Sequence, residues 1–344
     1  MTDRPLLRAI LIGFWAATIL AATAWSARGP SFAAALPLKL LPTNGSVLLG
    51  AFEPRERAGD FTFERAIGRR VALIDSFQAW GGADKNFSRK WAALVETLSA
   101  NDQVLMVTWE PWKPGGGGDQ PEYRLKTIID GKHDRYIEDW FRRVRDLRYP
   151  IFVRFAHEMN GDWYPWGIHV NEPGEYVAAW RHVVNLSRKV GADNITWVWA
   201  PNENMNNVDV AKLYPGRKYV DWIGISGYNW VGPKRDWGRW RSAKRIFSPV
   251  LASIKKYRKP IMIAEIGTTE NPRAHAAAGK TKAAWIERTY NYLKNTDPPV
   301  SLVVYQNYRA SHAQDWRVTT SSPSKSAIRR ALADPKFMGM FRTK

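Results

Sequence analysis

The chain has 344 residues, 45% of them hydrophobic and 24% charged, with a mean hydropathy of −0.40, a composition that excludes a disordered chain. It contains no cysteine, which removes disulfides, thiolate zinc sites, cysteine nucleophiles and iron–sulfur clusters. With 51 Lys and Arg against 32 Asp and Glu the formal charge is +19; no zinc-finger spacing, basic heptad region or RNA-binding signature accompanies it, so nucleic acid is not expected, and the charge reads either as a solvated basic surface or as a contact for an anionic envelope or acidic polymer.

At the N-terminus Arg4 and Arg8 precede an apolar run over residues 9–25, long for a signal-peptide core and short for a membrane span. Ala22-Thr23-Ala24 and Ala33-Ala34-Ala35 are candidate cleavage sites. Residues 1–35 therefore read as a signal peptide or an N-terminal membrane anchor, and residues 36–344 as one domain. Either reading exports the protein, to the periplasm or the medium, with inner-membrane attachment if the segment is retained. Loss of residues 1–35 still leaves a charge of about +17.

From residue 44 onward eight short apolar, β-branched or aromatic runs follow one another, over residues 47–52, 71–80, 103–109, 151–158, 195–200, 220–229, 261–266 and 301–307. Between them, residues 87–98, 134–147, 174–190, 243–257 and 282–293 place apolar side chains at helical spacing. Strands alternating with helices require a mostly parallel sheet, and eight repeats predict an α/β fold of the (β/α)8 TIM-barrel type. The alternative is a doubly wound open sheet, but no Gly-rich nucleotide fingerprint follows an early strand. The connections after the first and fifth runs are short of helix. Residues 111–171 and 231–242 read as long loops at the strand ends, where a barrel binds its substrate. Gly115 to Gly118 lack a following Gly-Lys-Ser/Thr, so they read as a flexible loop and not as a phosphate cradle.

Two strand ends carry the chemistry. Arg154-Phe155-Ala156-His157-Glu158-Met159-Asn160-Gly161-Asp162-Trp163-Tyr164-Pro165-Trp166-Gly167 closes the fourth run, and strand alternation puts Arg154, Ala156 and Glu158 on one face. Pro260-Ile261-Met262-Ile263-Ala264-Glu265-Ile266-Gly267 ends an apolar run on a single carboxylate. One such glutamate could be a salt-bridged core residue. Two, at the ends of strands four and seven, suit glycoside hydrolysis, in which one carboxyl protonates the leaving oxygen and the other attacks carbon or activates water. The remaining histidines show no ligand spacing beside His157, and Ser226 in Ile225-Ser226-Gly227 lacks a nucleophile elbow; neither a metal nor any other cofactor is expected. The 18 Trp residues exceed the needs of a core and suit sugar rings. Trp109, Trp112, Trp163, Trp166, Trp230 and Trp316 fall at strand ends or loops and either stack on sugar or pack. Trp91, Trp140, Trp180 and Trp285 fall in helices and read as core.

At these residues the sequence resembles glycoside hydrolase family 26, over roughly residues 45–335. The most specific piece is His157-Glu158-Met159-Asn160-Gly161 followed by Trp163, together with Glu265. The family contains endo-acting β-mannanases, mixed-linkage β-glucanases and β-1,3-xylanases on a (β/α)8 barrel with a retaining mechanism. The resemblance implies that Glu158 is the acid/base and Glu265 the nucleophile, that His157 and Trp163 line the site, and that Tyr228 hydrogen-bonds the nucleophile; Asn160, in the same motif, is a further candidate substrate contact. The resemblance also makes Trp316 an aromatic platform. Trp112 and Trp166, from their places at strand ends or loops, and Arg154, from its place on the strand face of Glu158, are expected as further substrate contacts. Arg154 and Tyr228 would help keep the nucleophile ionised. Mannanases of the family follow Asn-Gly with Trp-Phe-Trp-Trp-Gly, whereas Asn160-Gly161 is followed by Asp162-Trp163-Tyr164-Pro165-Trp166-Gly167, which leans slightly toward mixed-linkage β-1,3-1,4-glucan over β-1,4-mannan. The expected protein is a monomer acting on a β-linked polysaccharide. A catalytically silent carbohydrate-binding barrel serving exopolysaccharide assembly or export is the alternative.

Overall fold

All eight runs become strands of one sheet: β1 Val47–Phe52, β2 Leu73–Ala79, β3 Val104–Glu110, β4 Ile151–Phe155, β5 Ile195–Trp199, β6 Trp222–Val231, β7 Ile261–Thr268 and β8 Val300–Gln306. The computed structural model describes residues 39–42, 45–54, 61–82, 89–203, 208–231, 238–272 and 279–338; the expected signal or anchor segment lies outside them. Each strand pairs in parallel with the next, and β8 pairs in parallel with β1 from Leu48–Leu302 to Phe52–Gln306. The sheet is therefore closed, and the open-sheet alternative is excluded. Two-residue strands at Gly238–Arg239 and Phe337–Met338 add to β6 and β1.

The strands are continuously apolar because both faces are covered. Inside the barrel Leu48, Leu73, Val104, Met106, Phe152, Val198, Trp222, Met262, Leu302 and Val304 form one cluster. Gly224 leaves room for it: a Cβ there would lie 2.9 Å from that of Ala200 and 3.0 Å from that of Ala264. Leu40 belongs to this cluster and closes the end opposite the mouth, its N–H on Thr196 Oγ1 at 3.1 Å and its carbonyl accepting from Trp222 Nε1 at 2.8 Å.

The helices are α1 Thr62–Ile67, α2 Arg89–Ala100, α3 Leu125–Ile129, α4 Asp134–Asp146, α5 Pro173–Lys189, α6 Ala243–Ile254, α7 Lys282–Leu293 and α8 Ser322–Leu332. Polar caps start four of them: Glu172 and Glu175 form a capping box on α5, and Ser242, Thr281 and Ser321 cap α6, α7 and α8. Residues 111–171 are not one loop, since α3, α4 and β4 lie within them; only residues 111–124 and 156–172 lack a helix or strand longer than one short turn. Much of the expected loop at 231–242 lies outside the described residues. No helix among the described residues is long and apolar enough to cross a membrane.

Candidate active site

Both glutamates reach the mouth through breaks in strand regularity. Strand β4 ends at Phe155, and Ala156 and Glu158 then take φ values of 44° and 54°, a left-handed region uncommon outside glycine. Alternation therefore does not carry Glu158 onto the face of Arg154, as the sequence pattern implies. The turn is held instead by the N–H of Ala156 on the carbonyl of Trp109 at 3.1 Å and that of Glu158 on Ala200 at 2.7 Å. On β7, Met262 and Ala264 point into the barrel, so strict alternation would send Glu265 outward. An irregularity leaves Ala264 out of register, with Ile263 opposite Ile225 but Glu265 opposite Ser226. Such a bulge re-aims the following side chain.

Glu265 is held from two sides. Oε1 accepts from Arg154 Nη1 at 2.6 Å and lies 3.6 Å from His157 Nε2, while Oε2 accepts from the Tyr228 hydroxyl. Arg154 is fully buried and spends its other donors on Thr108 Oγ1, at 2.9 and 2.6 Å, on Asp75 at 3.2 Å and on Ser226 at 3.4 Å. It is a counter-ion beneath the site, with no surface for the expected substrate contact. Ser226 is likewise structural.

Glu158 has neutral company. Its Oε1 accepts from Asn202 Nδ2 at 2.8 Å and its Oε2 from Trp163 Nε1 at 3.0 Å. Burial, and then the charge of Glu265, raise its carboxyl to about 7; Asn202, Arg154 and Ser226 oppose the shift. Burial also raises Glu110, at the end of β3, to about 8, and Asp75 to about 7 against the pull of Arg154. His157 is buried beside Arg154, which together hold its imidazole well below its ordinary value and keep it neutral. Its ring sits edge-on to Phe77 and 5.0 Å from Tyr164.

The sequence-predicted residues divide accordingly. Glu158, Glu265, His157, Trp163 and Tyr228 converge. Asn160 is buried and exchanges bonds with Asn202, donating to its carbonyl at 3.1 Å and accepting its N–H at 2.8 Å, so it positions Asn202 and does not face substrate. Trp166 is fully buried, stacked 4.3 Å from Tyr164 and donating to the His157 carbonyl at 2.6 Å; no face is left for a sugar. Trp316 is only 3% exposed and forms a wall behind Tyr228 at 4.8 Å. Trp112 is half-buried at the mouth and donates to Glu110 at 3.2 Å. Trp230 is also half-buried, on β6. Trp109 packs 4.3 Å from Trp140 in the core, where Trp180 and Trp285 also lie; the side chain of Trp91 falls outside the described residues.

Sequence reasoning missed Asn202 and the pair formed by buried Glu203 and half-buried Arg241. Arg241 Nη2 bonds Glu203 Oε1 at 2.7 Å and the Tyr228 carbonyl at 3.0 Å, clamping the backbone that carries the phenol. The polar pair Asn202-Glu203, one residue beyond the fifth apolar run, was the available signal.

A closed parallel barrel with two buried glutamates at the ends of strands four and seven defines the glycoside-hydrolase type of site. Residues 119–291 match the model of glycosyl hydrolase family 26, and the chain belongs to that family. It is 34% identical to Endoglucanase H of Acetivibrio thermocellus over 84% of this chain and 31% of that protein. It is 23% identical to beta-1,3-xylanase TXYA of a Vibrio species over 62% of this chain and 50% of the relative. The chain thus spans half or less of the length of these relatives. Among solved structures it is similar in fold to the catalytic domain of an endo-beta-1,4-mannanase from Bacillus sp. JAMB-750, with a TM-score of 0.67 and 16% identity over 86% of this chain and 88% of that one.

Proposed function

We propose that the protein is a retaining endo-β-glycanase acting on a β-linked glucan. In this reading Glu265 attacks the anomeric carbon while Glu158 gives its proton to the departing glycosidic oxygen. A glycosyl ester on Glu265 results. Glu158, now a carboxylate, takes a proton from water, whose oxygen displaces Glu265 from the sugar and restores both groups. The observation that carries the assignment is the contrast between the two carboxyls. A guanidinium at 2.6 Å and a phenol serve Glu265, whereas an amide, an indole and burial surround Glu158 and leave it protonated up to about 7.

Glucan is favoured over mannan because the relative named an endoglucanase aligns with 84% of the chain at 34% identity. The run after Gly161 also departs from the Trp-Phe-Trp-Trp-Gly of the family's mannanases. Export to the periplasm or the medium, drawn from residues 1–35, belongs to the same reading.

Turnover of barley β-glucan, galactomannan, glucomannan and β-1,3-xylan, read as reducing ends and product size, tests the substrate. Barley β-glucan is expected to be cut fastest, into short oligosaccharides. Glu265→Ala is expected to abolish turnover and to recover part of it with azide, giving a glycosyl azide of inverted configuration. Glu158→Ala is expected to keep most activity on substrates with good leaving groups. No turnover on any polysaccharide would leave the silent binding barrel; equal losses on activated and natural substrates would remove Glu158 from the acid role.

A further inference from the structure

The end of the barrel opposite the mouth is strongly basic. Arg148 precedes β4, Arg188 ends α5, Arg217 and Lys218 precede β6, and Lys256 and Arg258 precede β7; all six are exposed. None of them forms an ion pair with a carboxylate among the described residues. Arg188 Nη2 bonds the Lys218 carbonyl, Arg217 Nη1 the Tyr257 carbonyl at 3.3 Å, and Lys259 Nζ the Arg217 carbonyl at 3.0 Å. These contacts stitch the ends of α5, β6 and β7 into one continuous surface. Its acidic members are fewer and mostly paired, Asp146 with Arg145 at 2.9 Å, Asp221 with Lys39 at 2.9 Å, Asp297 with Lys255 at 2.6 Å and Asp334 with Lys294 at 2.6 Å, while Asp102 and Asp193 are exposed.

Cations at helix C-termini complement the helix dipole, and Arg188 fits that ordinary role. Arg148 and Arg258 do not need it. Both lie past a helical turn with φ values of 48° and 52°, the position where glycine is least strained. An arginine is kept there at a conformational cost. The opposite end gathers carboxyl groups at or just beyond the strand ends, Glu53, Glu110, Glu158, Glu203, Glu265 and Glu270, of which Glu203 and Glu265 are paired with Arg241 and Arg154.

The chain enters the barrel through this basic face. Lys39 Nζ bonds the carbonyl of Ile195 and Asp221, and Leu40 plugs the strand ends between β5 and β6. Leu41, 67% exposed, stands beside them. The 38 residues that precede Lys39 carry the apolar run at 9–25. We infer that this face rests on an anionic phospholipid bilayer in which the N-terminal run is embedded, with the mouth turned away from the lipid. A bilayer is the occupant that fits an apolar run and a basic surface arriving at the same place; an acidic polymer would use only the charge.

The absence of cysteine makes the test direct. Full-length protein carrying a dye at Ser253→Cys, near the basic end of α6, or at Asp162→Cys, on the mouth, is reconstituted into vesicles. The vesicles hold headgroup-labelled acceptor lipid in pure phosphatidylcholine or in 3:1 phosphatidylcholine:phosphatidylglycerol. Strong energy transfer is expected from position 253 and weak transfer from 162, in the anionic vesicles only. It should fall when salt is raised from 0.05 to about 0.5 M. The triple variant Arg217→Gln/Lys218→Gln/Lys256→Gln should weaken docking about 100-fold without changing hydrolysis of soluble glucan. Equal transfer from both positions, insensitivity to lipid charge, or a triple variant indistinguishable from the parent overturns the inference. So does docking that soluble alginate captures and anionic vesicles do not, which would assign the face to acidic polysaccharide.

Discussion

Single side chains divide the work at the mouth. Asn202 donates to Glu158 at 2.8 Å, which favours the charged form of that carboxyl. If Glu158 is the acid, kcat/KM should decline as the pH rises through about 7 and the group loses its proton. Asn202→Ala removes a donor that lowers this carboxyl, so the alkaline limb is expected to move to higher pH; pH–rate profiles of the two proteins measure it. An unmoved limb would detach Asn202, or Glu158, from that titration. Tyr228→Phe tests the other carboxyl. Its hydroxyl is a charge-assisted donor to Glu265, and losing such a bond costs about 1.5–3 kcal/mol, or about 10–150-fold in kcat. KM and the thermal midpoint should change little. A large rise in KM at constant kcat would place Tyr228 in substrate binding instead.

At the scale of elements, the segment after β4 is a tight scaffold for Trp163. A Cβ on Gly161 would lie 2.5 Å from that indole, closer than atoms can pack. Gly161→Ala is therefore expected to push Trp163 off Glu158 and to lower kcat at least 10-fold, while circular dichroism shows an intact barrel. Gly161→Ala with parental kcat would show that the Trp163 bond is dispensable. The eight strands were legible in the sequence because strands buried on both faces read as plain apolar runs. Helix α8 was not: only Ala327, Ile328, Ala331 and Leu332 interrupt its polar and basic residues. Glu158 and Glu265 stood out as carboxylates after apolar runs, but the means of their placement did not. Neither a left-handed pair nor a register break leaves a mark in hydrophobic period. The tryptophans were the least legible, since the same amphipathic ring stacks on a sugar or, as Trp166 and Trp109 do, on protein.

Across the whole molecule, burial sets an unusual pH dependence of stability. Asp75, Glu110 and Glu158 are raised to about 7, 8 and 7, so the folded protein holds these protons more tightly than the unfolded chain. Their contribution is fullest below the ordinary carboxyl values near 4 and is lost as the pH rises through about 7 to 8. The thermal midpoint is therefore expected to be higher at pH 5 than at pH 8, and Glu110→Gln should flatten that difference by raising the value at pH 8. A midpoint that climbs steadily from pH 5 to 8 would contradict the assignment. The proximity of Glu265 to Glu158 has one more result. In the proposed double displacement, esterification of Glu265 abolishes its negative charge, and with it the second of the two causes that raise Glu158. The acidity of Glu158 is then reset in mid-cycle: its proton is held before the glycosidic bond breaks and is more easily shed once the sugar is captured. The change from acid to base is thereby timed by the covalent state of its neighbour and needs no movement of the chain.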